Sequence, residues 1–181
     1  MRSMWMTLLI LILGLQMPCF GQEKEYRVKA VFLEKFTRLI KWPDTSDVSD
    51  TSKPFVIAVI GKNPFGSILE TTYVKQKIKG KRVEIQYISK PDEIVGCHLL
   101  FISSSNRETL SEIISLTQDK PILTVSDSEG FAEEKVLINF YLSGNKTKFE
   151  VNERAVHKSG LVFSYMLLNL ARIVDPMKGG K

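Results

Sequence analysis

Hydrophobic positions along this chain follow two periodicities, and their alternation predicts the order of elements. From Arg27 to Trp42, Val28, Val31/Phe32, Phe36 and Leu39/Ile40 recur at three-to-four-residue spacing, while Arg27, Lys35, Arg38 and Lys41 fall largely off that stripe. The pattern predicts an amphipathic helix stopping at Trp42, because Pro43 restricts the residue before it and lacks a backbone donor. Asp44 to Lys53, rich in Asp, Ser and Thr, reads as a solvated loop. Pro54 to Ile60 is a continuous apolar run of strand length, the mark of a strand buried on both faces. After Gly61, Asn63 and Pro64 suit the N-cap and first turn of a short helix through Phe65, Ile68 and Leu69. Arg82 to Ile88 alternates and predicts a more exposed strand; Cys97–Ile102 and Pro121–Val125 predict buried ones. Between these two, Ser105 and Glu108 have capping-box spacing ahead of Leu110, Ile113 and Ile114. Asp127 to Gly130 turns the chain. Val136–Leu142 and Lys146–Val151 alternate around Ser143-Gly144-Asn145 and predict an antiparallel hairpin. Asn152 then caps a long last helix with the stripe Val156, Gly160, Phe163, Leu167, Leu170/Ala171 and Val174, ended by Pro176.

Buried strands alternating with helices, then a hairpin and a closing helix, predict a single α/β domain. Its sheet is mixed and mostly parallel, flanked by helices. The expected boundaries are 22–176, with a flexible tail over 177–181. The first 21 residues read as a secretory signal peptide: Arg2, an apolar stretch from Trp5 to Leu15, and a polar-to-small exit ending at Gly21. That stretch is shorter than the roughly 18 residues of a membrane span, and Pro18 does not suit lipidation of Cys19. The expected location is therefore the periplasm. Beyond residue 21 only Cys97 remains, so no intramolecular disulfide is expected, and its apolar neighbours make it a small buried hydrophobe.

Charge changes little. The formal net charge of +5 falls by one without Arg2. The one dense basic patch, Lys75, Lys77, Lys79, Lys81 and Arg82, reads as a solvated turn or a contact for an acidic surface. No aromatic residues interleave to stack bases, so nucleic acid is not expected. The turn Gly61-Lys-Asn-Pro-Phe-Gly66-Ser67 lies where a phosphate loop would, but Ser67 stands where that loop needs lysine. It is a tight strand-to-helix turn, with an anion or small ligand at Gly61, Asn63, Gly66 and Ser67 as the other reading. His98 and Cys97 point to opposite faces of a strand, and His157 has Glu153 one turn before it, an ion-pair position. No metal set, cofactor loop or nucleophile elbow is visible, so neither enzyme nor cofactor is expected. Trp42 and Phe65 are candidates for partner anchors if exposed, and core residues if not.

The ordered pieces Lys29-Ala-Val-Phe-Leu to Trp42-Pro43, Phe55-Val-Ile-Ala-Val-Ile-Gly61-Lys-Asn-Pro-Phe-Gly66 and Cys97-His-Leu-Leu-Phe-Ile-Ser103 resemble the YfiR family of periplasmic proteins. Thr124-Val-Ser-Asp127, Phe149-Glu-Val-Asn152 and Leu167-Leu-Asn-Leu-Ala171 continue the match. The resemblance implies a periplasmic regulator that binds the sensor domain of an inner-membrane diguanylate cyclase and holds it inactive, limiting cyclic di-GMP and biofilm formation. A histidine kinase is the other partner considered, and a homodimer is left open. A periplasmic small-ligand sensor is the alternative function. Glu133-Glu-Lys135 stands where the family pattern often has a Gly-Gly-Met type turn, and the lone Cys97 cannot supply the disulfides of better-known members.

Overall fold

The computed structural model describes residues 19–174. The first helix, α1, spans Cys19–Leu39 and is followed by the short strand β1, Ile40–Lys41. Next come β2 (Phe55–Ile60), α2 (Ile68–Tyr73), β3 (Val83–Ile88), β4 (Leu99–Ile102), α3 (Leu110–Thr117) and β5 (Leu123–Ser126). The chain ends with β6 (Ile138–Ser143), β7 (Lys146–Asn152), α4 (Glu153–Ser159), β8 (Val162–Phe163), α5 (Tyr165–Leu170) and β9 (Arg172–Val174). The first 18 residues of the expected signal peptide, and the expected tail, lie outside the described residues.

Seven strands form one sheet in the order β3-β2-β4-β5-β6-β7-β9. From β3 to β6 all neighbours are parallel, β6 and β7 are antiparallel, and β9 runs parallel to β7. The chain steps from β2 out to β3, then back across β2 to β4 and onward. That is a doubly wound order, and it reverses direction between β2 and β4. Alternation along the buried strands splits the core into two layers. Phe55, Ile57 and Val59 face α1 and α2; Val56, Ala58 and Ile60 face α3, Phe131 and Val136. The expected single α/β domain with a mixed, mostly parallel sheet and a C-terminal hairpin is what the chain forms.

Several local expectations are corrected. The first helix ends at Leu39, not Trp42, because Ile40 and Lys41 pair antiparallel with Phe163 and Val162. Its inward face is also rotated. Ala30, Leu33, Phe36 and Thr37 are buried together with Lys29 and Glu34, whereas Val28 and Val31 are 38% and 46% exposed. Phe36 packs within an aromatic group of Phe32, Phe140 and Phe149, its ring 4.9 Å from that of Phe149.

Asn63 does not cap a helix. Its Oδ1 accepts from the Phe65 backbone N–H at 2.8 Å and its Nδ2 donates to the Gly66 carbonyl, closing a tight side-chain turn; α2 starts only at Ile68. Ser105 likewise leaves α3 alone, its hydroxyl accepting from the Lys62 N–H at 2.9 Å. The turn lies so close to the loop after β4 that Gly61, at φ +87°, could not carry a Cβ without meeting Ser105 and Asn106.

The long last helix is instead two helices and two strands. Gly160 adopts φ +73° and ends α4, β8 returns to pair with β1, and Ser164 caps α5 by accepting from the Leu167 N–H. The loop over 44–53 is not wholly solvated either, since Val48 is buried beneath it. The basic patch is similarly tied down. Lys81 is fully buried, donating to the Asp47 carbonyl at 2.6 Å, and Lys79 donates to the Ile40 carbonyl.

At the amino edge of the sheet His98 fastens this loop. Its Nδ1 accepts from the Val56 N–H at 3.0 Å, so its Nε2 carries the proton and donates to Asp47 Oδ1 at 2.8 Å. Burial holds the His98 pKa below its ordinary 6.5, and the hydrogen bond from His98 holds the Asp47 carboxyl below the ordinary 3.8. A proton added to Nδ1 would face the Val56 N–H. As pH falls below about 6.5 the unfolded chain therefore takes up a proton that the folded chain refuses. Stability should decline through that window and again below pH 4, where Asp47 protonates. Urea midpoints taken across pH 2–8 should show both steps in the wild type, and His98→Gln should lose the upper one.

Candidate functional site

Strands β2, β4 and β5 finish side by side, Ile60 beside Ile102 and Ile102 beside Ser126, so the loops that follow open on one carboxyl edge. In doubly wound sheets this edge, at the reversal between β2 and β4, is where ligands bind. Here it carries two adjoining clefts. One, of about 660 Å³, lies over Asn63, Pro64, Phe65 and Gly66 and over Ser103–Ser105. The larger, about 820 Å³, is lined by Asp127–Gly130 and by Asn139–Leu142 of β6. The first turns of α1 form a shared wall, with Gln22 and Tyr26 lining both.

The wall is held by a charge cluster. Lys29, only 4% exposed, places Nζ 2.6 Å from Asp127 Oδ2 and 2.5 Å from Glu25 Oε1. Tyr26 donates its hydroxyl to the same Asp127 oxygen at 2.7 Å, and its ring meets Phe65 edge-on at 5.1 Å. Burial, then the bond to Asp127, push the Tyr26 hydroxyl far above its usual range, so it stays a donor. Across the cleft Glu150 accepts from Asn139 Nδ2 and pairs with Arg172, whose guanidinium lies over the Tyr141 ring. Asp127 and Glu150 are thus occupied by cations and donors already in place. The arrangement is built to hold a polar molecule or brace α1. Cys97 is buried in the other core layer with its thiol pushed up to about 11 by burial, which leaves it an inert hydrophobe.

The residues singled out in the sequence divide. Asn63, Phe65 and Gly66 line the smaller cleft; Gly61 and Ser67 shape the turn without lining it. Trp42 and Phe65 are not surface anchors. Trp42 is 5% exposed, edge-on to Phe55, with Nε1 donating to the Pro121 carbonyl at 2.9 Å. Phe65 is 1% exposed, between Tyr26 and Phe101.

A different surface is apolar and open. On α5, Tyr165, Met166 and Leu170 are 85%, 64% and 68% exposed, and only Leu167 of that helix is buried. Val162 and Ile173 flank it, also exposed. Large apolar side chains left in water together are candidates for an interaction surface. Sequence periodicity missed it because Leu170 read as part of the buried stripe of one long helix, and Tyr165 and Met166 lay off that stripe. Lys29 and Asp127 were missed for another reason: nothing in sequence pairs residues 98 positions apart.

The chain is thus a doubly wound α/β domain with a polar cleft at its carboxyl edge and exposed apolar side chains on α5. The chain belongs to the YfiR/HmsC-like family, whose model matches residues 26–172. Membership places it among periplasmic regulators of signalling proteins. No curated protein matches it.

Proposed function

We propose that this protein is exported to the periplasm and represses an inner-membrane signalling enzyme by binding its periplasmic sensor domain. The enzyme is a diguanylate cyclase, so loss of the repressor raises cyclic di-GMP and promotes biofilm. Family membership across residues 26–172 supports this reading, and the exposed apolar side chains of α5 offer a candidate contact surface. In place of Trp42 and Phe65, the docking residues are Tyr165, Met166 and Leu170, because rings and long apolar side chains left in water recover free energy when a partner covers them.

The test is crosslinking and co-purification from native membranes with the wild type and with the double variant Met166→Glu/Leu170→Glu. The variant should lose a membrane cyclase that the wild type captures, and cells carrying it should show raised cyclic di-GMP. Its stability should change by no more than about 0.5 kcal/mol, since both side chains are already exposed. Capture of a histidine kinase would redirect the proposal, and capture of no membrane protein would sink it. Sedimentation of the same pair of proteins shows whether this surface also joins two copies. The carboxyl-edge clefts favour a second reading, a small-ligand sensor. A ligand at 100 times its dissociation constant would add about 2.7 kcal/mol of stability, visible in a thermal-shift screen.

A further inference from the structure

The apolar side chains of α5 have basic neighbours, and the fold shows how they come together. β8 leads into α5 and pairs with β1, so the end of α1 and the start of α5 meet at one seam, where the Ser164 N–H donates to the Leu39 carbonyl at 2.9 Å. Lys41 and Val162 are direct cross-strand partners. Side chains of such a pair project from the same face of the ladder. Both are exposed, whereas Ile40 and Phe163, the pair on the opposite face, are buried. Lys35 stands one turn before Leu39 on the same side of α1, its ammonium 5.6 Å from the Phe32 ring centroid. Between them Arg38 pairs with Glu34, but the glutamate side chain is 7% exposed and the arginine side chain 72%, so water meets the cation. The open apolar surface has a basic rim.

The sequence on either side of the seam sharpens this. Lys35 to Trp42 and Ala155 to Val174 contain no Asp or Glu, in a chain with 20 acids. Lys35 and Lys41 form no ion pair among the described residues. A second copy of the chain, docked about a two-fold axis, would set one basic rim against another, which like charges oppose. An acidic partner gains twice, by covering apolar area at the centre and by meeting cations at the edge. The repressor reading, on which this inference rests, makes that partner a protein domain.

We propose that the sensor domain docks here through an apolar groove edged by Asp and Glu side chains. Tyr165, Met166 and Leu170 enter the groove while Lys35, Arg38 and Lys41 meet its rim. The test challenges the immobilised wild type with detergent-solubilised native membranes at about 50 and about 400 mM NaCl, a range over which exposed charges become screened. The captured cyclase should fall about tenfold or more at the higher salt, and Lys35→Glu/Lys41→Glu should lose a similar factor at the lower one. The seam lies at the amino edge of the sheet, where Trp42 meets the Pro121 carbonyl ahead of β5. Lys90→Glu/Lys146→Glu makes the same change of net charge at the opposite edge, so it should capture as the wild type does. All four lysines are exposed, and the melting temperatures of both variants should match the wild type, which keeps lost docking distinct from lost fold. Equal capture of the cyclase at both salts and by the rim variant would overturn the acidic groove and leave the repressor reading standing. Equal losses in the two variants would also overturn it, as an effect of net charge alone. Co-sedimentation of the wild type with phosphatidylglycerol vesicles, lost in the rim variant, would give the rim to lipid instead. Capture of no membrane protein under any condition would sink the repressor reading and this inference with it.

Discussion

Lys29→Ala should destabilise the protein by about 3–5 kcal/mol, the usual cost of removing one partner from a buried ion pair. Lys29 Nζ is almost sealed from water, and the side chain of Asp127 is only 10% exposed. Without the ammonium, the Asp127 carboxylate keeps the Tyr26 hydroxyl but loses its neutralising charge. Taking away the other half of the pair removes the problem. Lys29→Met combined with Asp127→Asn should therefore recover most of the loss, because the more buried carboxylate is gone and Glu25, the other partner of Lys29, is partly open to water. Urea denaturation of the two single variants and the double variant gives the coupling directly. Near-additive effects, or a loss under about 1 kcal/mol for Lys29→Ala, would show that the pair does not brace α1 against the sheet. The same cluster predicts where the damage spreads, since the Tyr26 ring packs edge-on against Phe65 and both line a carboxyl-edge cleft.

Trp42→Ala should cost about 3–5 kcal/mol as well, the range for truncating a buried aromatic side chain. The indole fills space beside Phe55, and Lys79 Nζ lies 5.7 Å from its ring centroid. Trp42→Phe keeps much of that packing and forfeits the Nε1 bond to the Pro121 carbonyl, for about 1 kcal/mol. The difference between the variants separates packing from hydrogen bonding. At temperatures where each variant remains folded, partner capture should be unchanged, because the ring lies inside. A stable Trp42→Ala protein that no longer captures its partner would return Trp42 to the surface.

Much of the architecture was legible because buried strands leave a strong local mark. Phe55–Ile60, Leu99–Ile102 and Leu123–Ser126 are all buried on both faces, and a continuous apolar run announces that without help from the rest of the chain. The hairpin of β6 and β7 was equally local, its register following from Gly144 and Asn145 at the tip. The errors cluster where a partner distant in sequence overrules periodicity. The first helix is cut short by β8, about 120 residues downstream by the chain numbering of its partner pairs. Its inward face is turned by Asp127, which makes burial of Lys29 tolerable. The last helix breaks at Gly160 and Ser164, where a stripe of apolar residues counted for more than the glycine within it.

The site shows the same division. Asn63, Phe65 and Gly66 drew attention in the sequence and do line a cleft, since a glycine turn after a strand is a local signal. The surface beside α5 did not, since Lys41 and Val162 meet only when β1 pairs with β8.

By itself, the sequence determined the α/β class, the buried strands and the family, because these depend on residue type and spacing along the chain. Only the tertiary structure decided which side chains face water. It took Trp42 and Phe65 into the core, left Tyr165, Met166 and Leu170 outside, and joined Lys29 to Asp127. Burial and charge pairing are properties of what the fold brings together, and residues this far apart acquire them only when the chain closes.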